Sequence, residues 1–240
     1  MHNILKVLKS NIELKDLKVE KSDISIFKLD KELLDLKESI WEEREKEAKE
    51  NNEKLWDGDV YTLEDVGKLE SNHILKISTI KFSEVVTYVK GLGRNIKNSI
   101  SPRYICTGVF VQTSDNYFVF GSKRGKEEGA LVGGFTDVDD LEINVSEDFK
   151  RNMLKELKEE LDINEVDLTN VEFKGILETE KGSVNIFFKV KTSLSKVEVE
   201  ERYNSINDKE FQSLIFIEEN SVKEYLDSKI DANKVISDHT

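Results

Sequence analysis

The chain has 240 residues, the length of one large domain or two modest ones. With 38% hydrophobic and 35% charged residues, it can bury a sizeable core without staples. Its net charge of −13 argues against direct binding to nucleic-acid phosphates or to an anionic membrane surface, and leaves phosphate compounds as ligands only where a divalent cation stands between.

The single cysteine, Cys106, excludes an intrachain disulfide and gives no sign of an oxidising compartment. Met1 to Lys18 mixes apolar and charged residues, unlike a signal peptide, and no run approaches the ~18 apolar residues of a membrane span. A soluble cytoplasmic chain is expected. His2, His73 and His239 are too scattered for a His-rich metal site or a Ser-His-Asp machine.

In chain order, Ile12 to Leu29 reads as one or two strands. Asp30 can cap a helix running to about Asn51, with Leu33, Leu34, Leu36, Ile40 and Trp41 as its apolar stripe. Asp57-Gly58, between apolar residues, is a hairpin signal within Leu55 to Leu63. His73 to Phe82 alternates as a strand, and Ser83 then starts a short helix to about Val89. The polar stretch Gly91 to Asn98 and the single proline, Pro102, place a domain boundary near residue 100. Beyond it, Tyr104 to Gln112 and Tyr117 to Ser122 are strands around the turn Ser114-Asp115-Asn116. Gly129 to Phe135 is glycine-rich, Ser146 to Asp162 is a helix, and Val171 to Glu178, Val184 to Val190 and Leu214 to Ile217 are strands. A last helix runs from Ser221 to about Ser228. Strands and helices mix without regular βαβ alternation, which predicts an α/β sandwich around a mixed sheet.

The segment Lys155-Glu156-Leu157-Lys158-Glu159-Glu160-Leu161-Asp162-Ile163 carries the chemistry. At about 100° per residue, Glu156, Glu159 and Glu160 share one arc of the helix while Leu154, Leu157 and Leu161 lie nearly opposite. Like charges at these spacings repel by a few tenths of a kcal/mol per pair. A surface helix gains nothing from that crowding, whereas a Mg²⁺ or Mn²⁺ site gains hard oxygen ligands; in a chain this acidic, a solvated acidic face is the competing reading of the helix taken alone.

With Gly133-Gly134-Phe135 upstream and Glu147 eight residues before Lys155, the segment resembles the signature of the Nudix hydrolases. Glu147 matches the first glutamate, Lys155-Glu156-Leu157 the Arg-Glu-apolar step, Glu159-Glu160 the glutamate pair and Ile163 the last apolar position. There are three departures. Lys155 replaces an arginine and loses its bidentate fork. Asp162 replaces a glycine, although it can adopt the left-handed helix stop. The glycine pair lies too far upstream, so Thr136 to Asn144 must hold an insertion. Val119 to Arg124 is similar to the family's second strand with its basic end, and Glu210-Phe211-Gln212-Ser213-Leu214-Ile215-Phe216-Ile217 to a late strand, so the resemblance spans Tyr104 to about Asp227. Ile40 to Arg44, Leu55 to Tyr61 and Leu75 to Thr79 are similar in order to the family's eukaryotic UDP-sugar diphosphatase branch.

The resemblance implies a Nudix α/β/α sandwich over residues 101–240, preceded by a small α/β domain over 1–100. It implies a divalent-metal-dependent pyrophosphohydrolase that cleaves a nucleoside diphosphate linked to another moiety, such as UDP-glucose or ADP-ribose. Glu160, Glu159 and Glu156 would hold Mg²⁺ or Mn²⁺, with the Gly134 carbonyl adding an oxygen. Glu147 and Lys155 would pair to hold the loop against the helix. Lys123 and Arg124 would contact phosphate, or else form a basic loop tip. Trp56 and Tyr61 would stack on a base, or else pack a hairpin. The partner is then a small nucleotide derivative rather than nucleic acid or membrane, and a homodimer is in keeping with the fold. Cys106 reads as a buried structural thiol in a β-prone run. Asp139, Asp140, Glu142, Glu198, Glu200 and Glu201 fall in expected loops, and none is singled out as general base. The alternative is a catalytically inactive Nudix-fold nucleotide-binding or sensor module. Lys155, Asp162 and the insertion favour it; the intact Glu159-Glu160 pair disfavours it.

Overall fold

The computed structural model describes residues 4–51, 55–123 and 128–229. Ten strands form one mixed sheet: β1 (Ile4–Lys9), β2 (Lys18–Lys21), β3 (Asp59–Leu63), β4 (Ile74–Lys81), β5 (Tyr104–Gln112), β6 (Tyr117–Ser122), β7 (Glu128–Ala130), β8 (Leu168–Thr179), β9 (Ser183–Thr192) and β10 (Ser213–Glu218). The main path runs β1-β8-β9-β5-β3-β4-β2, and β6 branches from β5 to pair with β7 and β10. The pairs β5–β9 and β2–β4 are parallel and the others antiparallel. Among the described residues six helices accompany it: α1 (Lys31–Asn51), α2 (Val66–Asn72), α3 (Phe82–Gly93), α4 (Asp148–Leu161), α5 (Lys196–Ser205) and α6 (Val222–Lys229).

The period-two pattern of β5 separates the two faces of the sheet. Ile105, Val109 and Val111 are buried in a core shared with Phe149, Met153, Leu157 and Leu161 of α4, Leu69 of α2, and Val199 and Tyr203 of α5. Tyr104 points to the opposite face, into a second cluster with Leu33 of α1 and Val85 and Tyr88 of α3. Phe110 points the same way, into a third cluster with Val222 and Leu226 of α6. The expected α/β sandwich around a mixed sheet is what the helices and sheet form.

The strands on either side of residue 100 belong to one sheet. β3 meets β5 at Thr62 and Tyr104, and β1 pairs with β8. A separate N-terminal domain is not shown. Residues 91–93, expected as linker, form the last turn of α3, where Gly91 packs on Leu33.

Other local expectations are also corrected. Asp57-Gly58 makes no hairpin turn. The Asp57 carboxylate accepts from the Ser83 N–H and the Gly58 carbonyl from the Phe82 N–H, so the pair ties down the start of α3. β3 instead pairs with β4, reached through α2. Within residues 12–29 only β2 is strand; a short 3-10 turn, Leu14–Asp16, and irregular chain make up the rest. In α1, Leu33 and Ile40 are buried, but Leu34 is 57% exposed and lies outside the stripe. Residues 196–205, too polar to read as a helix from the sequence, form α5, which Ser195 starts with a capping box to Glu198. Glu198, Glu200 and Glu201 therefore lie on a helix, while Asp139, Asp140 and Glu142 do lie outside regular elements.

Candidate active site around the glutamate pair of α4

The core of the site is where α4 crosses residues 132–135. This glycine-bearing segment runs antiparallel to β5 through the bridges Val109–Val132 and Cys106–Phe135, and reaches β3 through Val60–Asp137. Gly133 adopts a φ of +137°, and a Cβ there would sit 2.0 Å from the Thr107 carbonyl oxygen. Only glycine lets the segment approach β5 this closely. At Gly134 a Cβ would lie 3.0 Å from both carboxylate oxygens of Glu156. The two glycines thus leave room for α4 to set its acidic face directly on the segment.

Glu156 and Glu160 are buried, at 6% and 4% exposure, although α4 is charged along much of its length. The Gly133 N–H donates to Glu160 Oε2 at 2.8 Å. Among the described residues no hydrogen-bond donor reaches the buried Glu160 Oε1. Its close neighbour is the carboxyl of Glu210, another acceptor when ionised. Two such oxygens are satisfied only by a proton or a cation between them. Burial, then Glu210 and Glu156, push the Glu160 carboxyl far above the usual carboxylate range. Burial, aided by Glu159 and Glu210 and opposed by Lys155 and Lys123, pushes Glu156 up to about 7.

The three glutamates expected to act together are not grouped as the helical arc suggested. Glu159 is exposed, and its nearest cation is Lys155 at 3.9 Å. The face carrying Glu156 and Glu160 is covered by the 132–135 segment, and Glu159 falls beyond its edge. Among the described residues, no three His, Cys, Asp or Glu side chains converge in a way that would hold a metal ion. The donor chemistry nonetheless fits a hard divalent cation: two buried carboxylates, one with an oxygen lacking any donor, beside a third carboxyl from Glu210.

Glu210 is the residue that sequence reasoning did not single out. It stands at the head of the segment compared above with a late family strand, and that was its available signal. Its carboxylate pairs with Lys123 Nζ, which lies 5.5 Å from the centre of the Phe211 ring. Gly121 makes room for Phe211, since a Cβ there would overlap the ring at 2.1 Å. Lys123 is therefore drawn to the site as a cation beside Glu210, not as a bare loop tip. Arg124 lies outside the described residues.

The remaining expected roles change with the geometry. Glu147 does not hold Lys155; it accepts from the Ser146 hydroxyl at 3.0 Å and has Lys150 at 3.7 Å. Lys155 instead pairs with Asp140, from the insertion. The Gly134 carbonyl accepts from the Thr107 N–H at 2.9 Å, which ties it into the sheet. Tyr61 is only 4% exposed and its hydroxyl accepts from the Ile143 N–H at 3.1 Å, so it cannot stack on a base. Trp56 is half-buried, with its indole against Phe82 (ring centres 5.6 Å apart) and folded over Gly58. Asp162 ends α4 at a φ of +55°, the left-handed stop expected of it. Burial pushes the Cys106 thiol well up, in keeping with a structural role.

No family model matches the chain, and no curated protein matches it. Among solved structures it is similar to Tm1382, assigned as a Nudix hydrolase, with a TM-score of 0.41 and 15% identity over 56% of this chain and 67% of that one. It is also similar to the Nudix domain of Shewanella oneidensis NrtR, solved with ADP-ribose (TM-score 0.37, 12% identity, 56% of this chain and 85% of that one). A third is a bifunctional NMN adenylyltransferase/ADP-ribose pyrophosphatase from Francisella tularensis (TM-score 0.39, 16% identity, 65% of this chain and 43% of that one). At such identities and scores any functional reading has to come from the site itself. Among the described residues no helix is long and apolar enough to cross a membrane.

Proposed function

We propose that this chain is a divalent-cation-dependent hydrolase of the Nudix type, acting on a nucleoside diphosphate linked to another moiety. The single observation that carries the reading is the buried Glu160 carboxylate, with one oxygen lacking a donor and the Glu210 carboxyl beside it. Burying two glutamates on one helix is expensive unless a cation is gained in return. A purely structural helix face of this protein would be filled more stably by apolar side chains.

Glu160 and Glu156 would hold Mg²⁺ or Mn²⁺, and Glu159 and Glu210 border the same place. A bound cation supplies charge neutralisation for the diphosphate and lowers the pKa of an attacking water. The chain's own residues supply the rest. The Gly133 N–H fixes the Glu160 carboxylate, and Lys123 places a positive charge at the mouth, where a phosphate oxygen can replace the Glu210 pairing. The glycine segment keeps side chains out of the space between helix and sheet. Residues 1–100 would border the site through Trp56 and Phe82, whose ring lies 5.0 Å from that of Phe135. UDP-glucose and ADP-ribose are the substrates to try first; in-line displacement of either yields a nucleoside monophosphate and a phosphorylated remainder.

A second reading, a nucleotide-binding module without turnover, is favoured by one feature: three carboxylates do not converge among the described residues. Incubation with each substrate and Mg²⁺ or Mn²⁺, with monophosphate as the readout, separates the two. Turnover that vanishes in Glu160→Gln supports the hydrolase. Tight binding of a nucleotide panel without turnover supports the binding module.

A further inference from the structure

The insertion between the glycine pair and α4 is anchored rather than loose. The Val138 N–H donates to the Asp59 carbonyl at 3.0 Å and the Leu141 N–H to the Asp137 carbonyl at 3.1 Å. Leu141 and Ile143 are buried in the main core, and the Ile143 N–H is held by Tyr61. This scaffold sets Asp140 against Lys155, one residue before Glu156 and four before Glu159. Glu147, the partner expected for Lys155 from the sequence, is turned to Ser146 and Lys150 instead.

We propose that Asp140 is a positioning residue for the cation site, acting through Lys155: by pairing with the ammonium it keeps Lys155 from settling on Glu159 and Glu156, where it would compete with a divalent cation. This rests on the cation-site reading above and names a determinant of that site's affinity. Lys155 is the positive charge within reach of both glutamates along α4, standing 3.9 Å from Glu159. Side-chain torsions alone would bring it onto that carboxylate if Asp140 released it. A pair as exposed as Asp140–Lys155 adds little to stability. Its consequence is where the ammonium sits.

The test measures Mn²⁺ binding by electron paramagnetic resonance on the full chain, alongside thermal melting. Wild type should bind Mn²⁺, and Asp140→Asn should bind roughly threefold to tenfold more weakly with little change in melting. Asp140→Glu should keep wild-type affinity. The decisive variant is Asp140→Asn combined with Lys155→Gln, which should recover the lost affinity because the competing ammonium is gone. If Asp140 acted only through its own charge, Lys155→Gln would raise affinity by the same factor in wild type and in Asp140→Asn; the inference requires the larger gain in Asp140→Asn. Wild-type binding with an unchanged Asp140→Asn, or a double variant no better than the single one, overturns the inference and leaves the cation site standing. No Mn²⁺ binding by wild type overturns both.

Discussion

Replacing Gly133 by alanine is the sharpest probe of how α4 and the sheet meet. The added Cβ would lie 2.0 Å from the Thr107 carbonyl oxygen, 2.9 Å from its carbon and 3.1 Å from the Gly108 Cα. All three are backbone atoms of β5, in register with Ile186 and Phe187 of β9, so they cannot swing aside as a side chain would. The 132–135 segment must therefore move by about 1 Å or more to restore ordinary contact distances. A φ of +137° costs an L-residue about 1–3 kcal/mol, and losing the N–H bond to the buried Glu160 costs about 1.5–3 kcal/mol. Gly133→Ala should thus destabilise by about 3–6 kcal/mol, a large part of a typical folding free energy of about 5–15 kcal/mol. Urea denaturation followed by circular dichroism measures it. Gly134→Ala is the control: the atoms nearest its Cβ are those of the Glu156 carboxylate, at 3.0 Å, and that side chain can turn, so about 1 kcal/mol is expected. A Gly133→Ala protein within about 1 kcal/mol of wild type, or a Gly134→Ala protein that loses more than it, would refute the close approach as the reason for glycine.

With chelator present, stability should fall as pH rises from about 4.5 to about 7, because the unfolded chain ionises Glu156 first and the fold must then ionise it while buried. The drop from Glu156 is about 3 kcal/mol, added to one from Glu160, whose carboxyl is raised further, so Glu156→Gln should make the slope shallower without abolishing it; an unchanged slope in that variant would show the wrong group had been chosen. Tyr61→Phe removes the acceptor of the buried Ile143 N–H and should cost about 1–3 kcal/mol in urea denaturation without altering Mn²⁺ binding by a factor of more than about two. Asp162→Gly relieves the left-handed helix stop and should raise stability by about 1 kcal/mol; a loss would mean the Lys158–Asp162 pair outweighs the strain.

Much of the fold was legible because it rests on local patterns. β5 and β6 fall at the residues their apolar, β-prone runs mark, and α4 ends on an aspartate in the left-handed conformation open to it. What escaped was set by tertiary partners. Asp57-Gly58 carries a hairpin signal, but its acceptors are used by the amides of α3. α5 lacks a strong apolar stripe and is held by Val199, Tyr203 and the bidentate Arg202–Asp167 pair, at 2.5 and 3.0 Å. In the site, the helical wheel placed Glu156, Glu159 and Glu160 on one arc, but how far the glycine segment extends decides which of them it covers. Glu210 comes from a loop some fifty residues later, and Lys155's partner from an insertion; sequence spacing has no means of ranking such neighbours.

The pairing of β1 with β8 has a consequence for biosynthesis. Ile4 sits opposite Thr179, so β1 must wait for a strand made 175 residues later before the edge that pairs with β8 is covered. At about 5–20 residues per second that delay is roughly 9–35 seconds, far longer than the intrinsic folding time of most small domains. Through that interval the nascent β1 offers unpaired amides and carbonyls to any passing chain. The lysines at positions 6 and 9 of this strand are charges of the kind that keep such an edge from pairing with the wrong one.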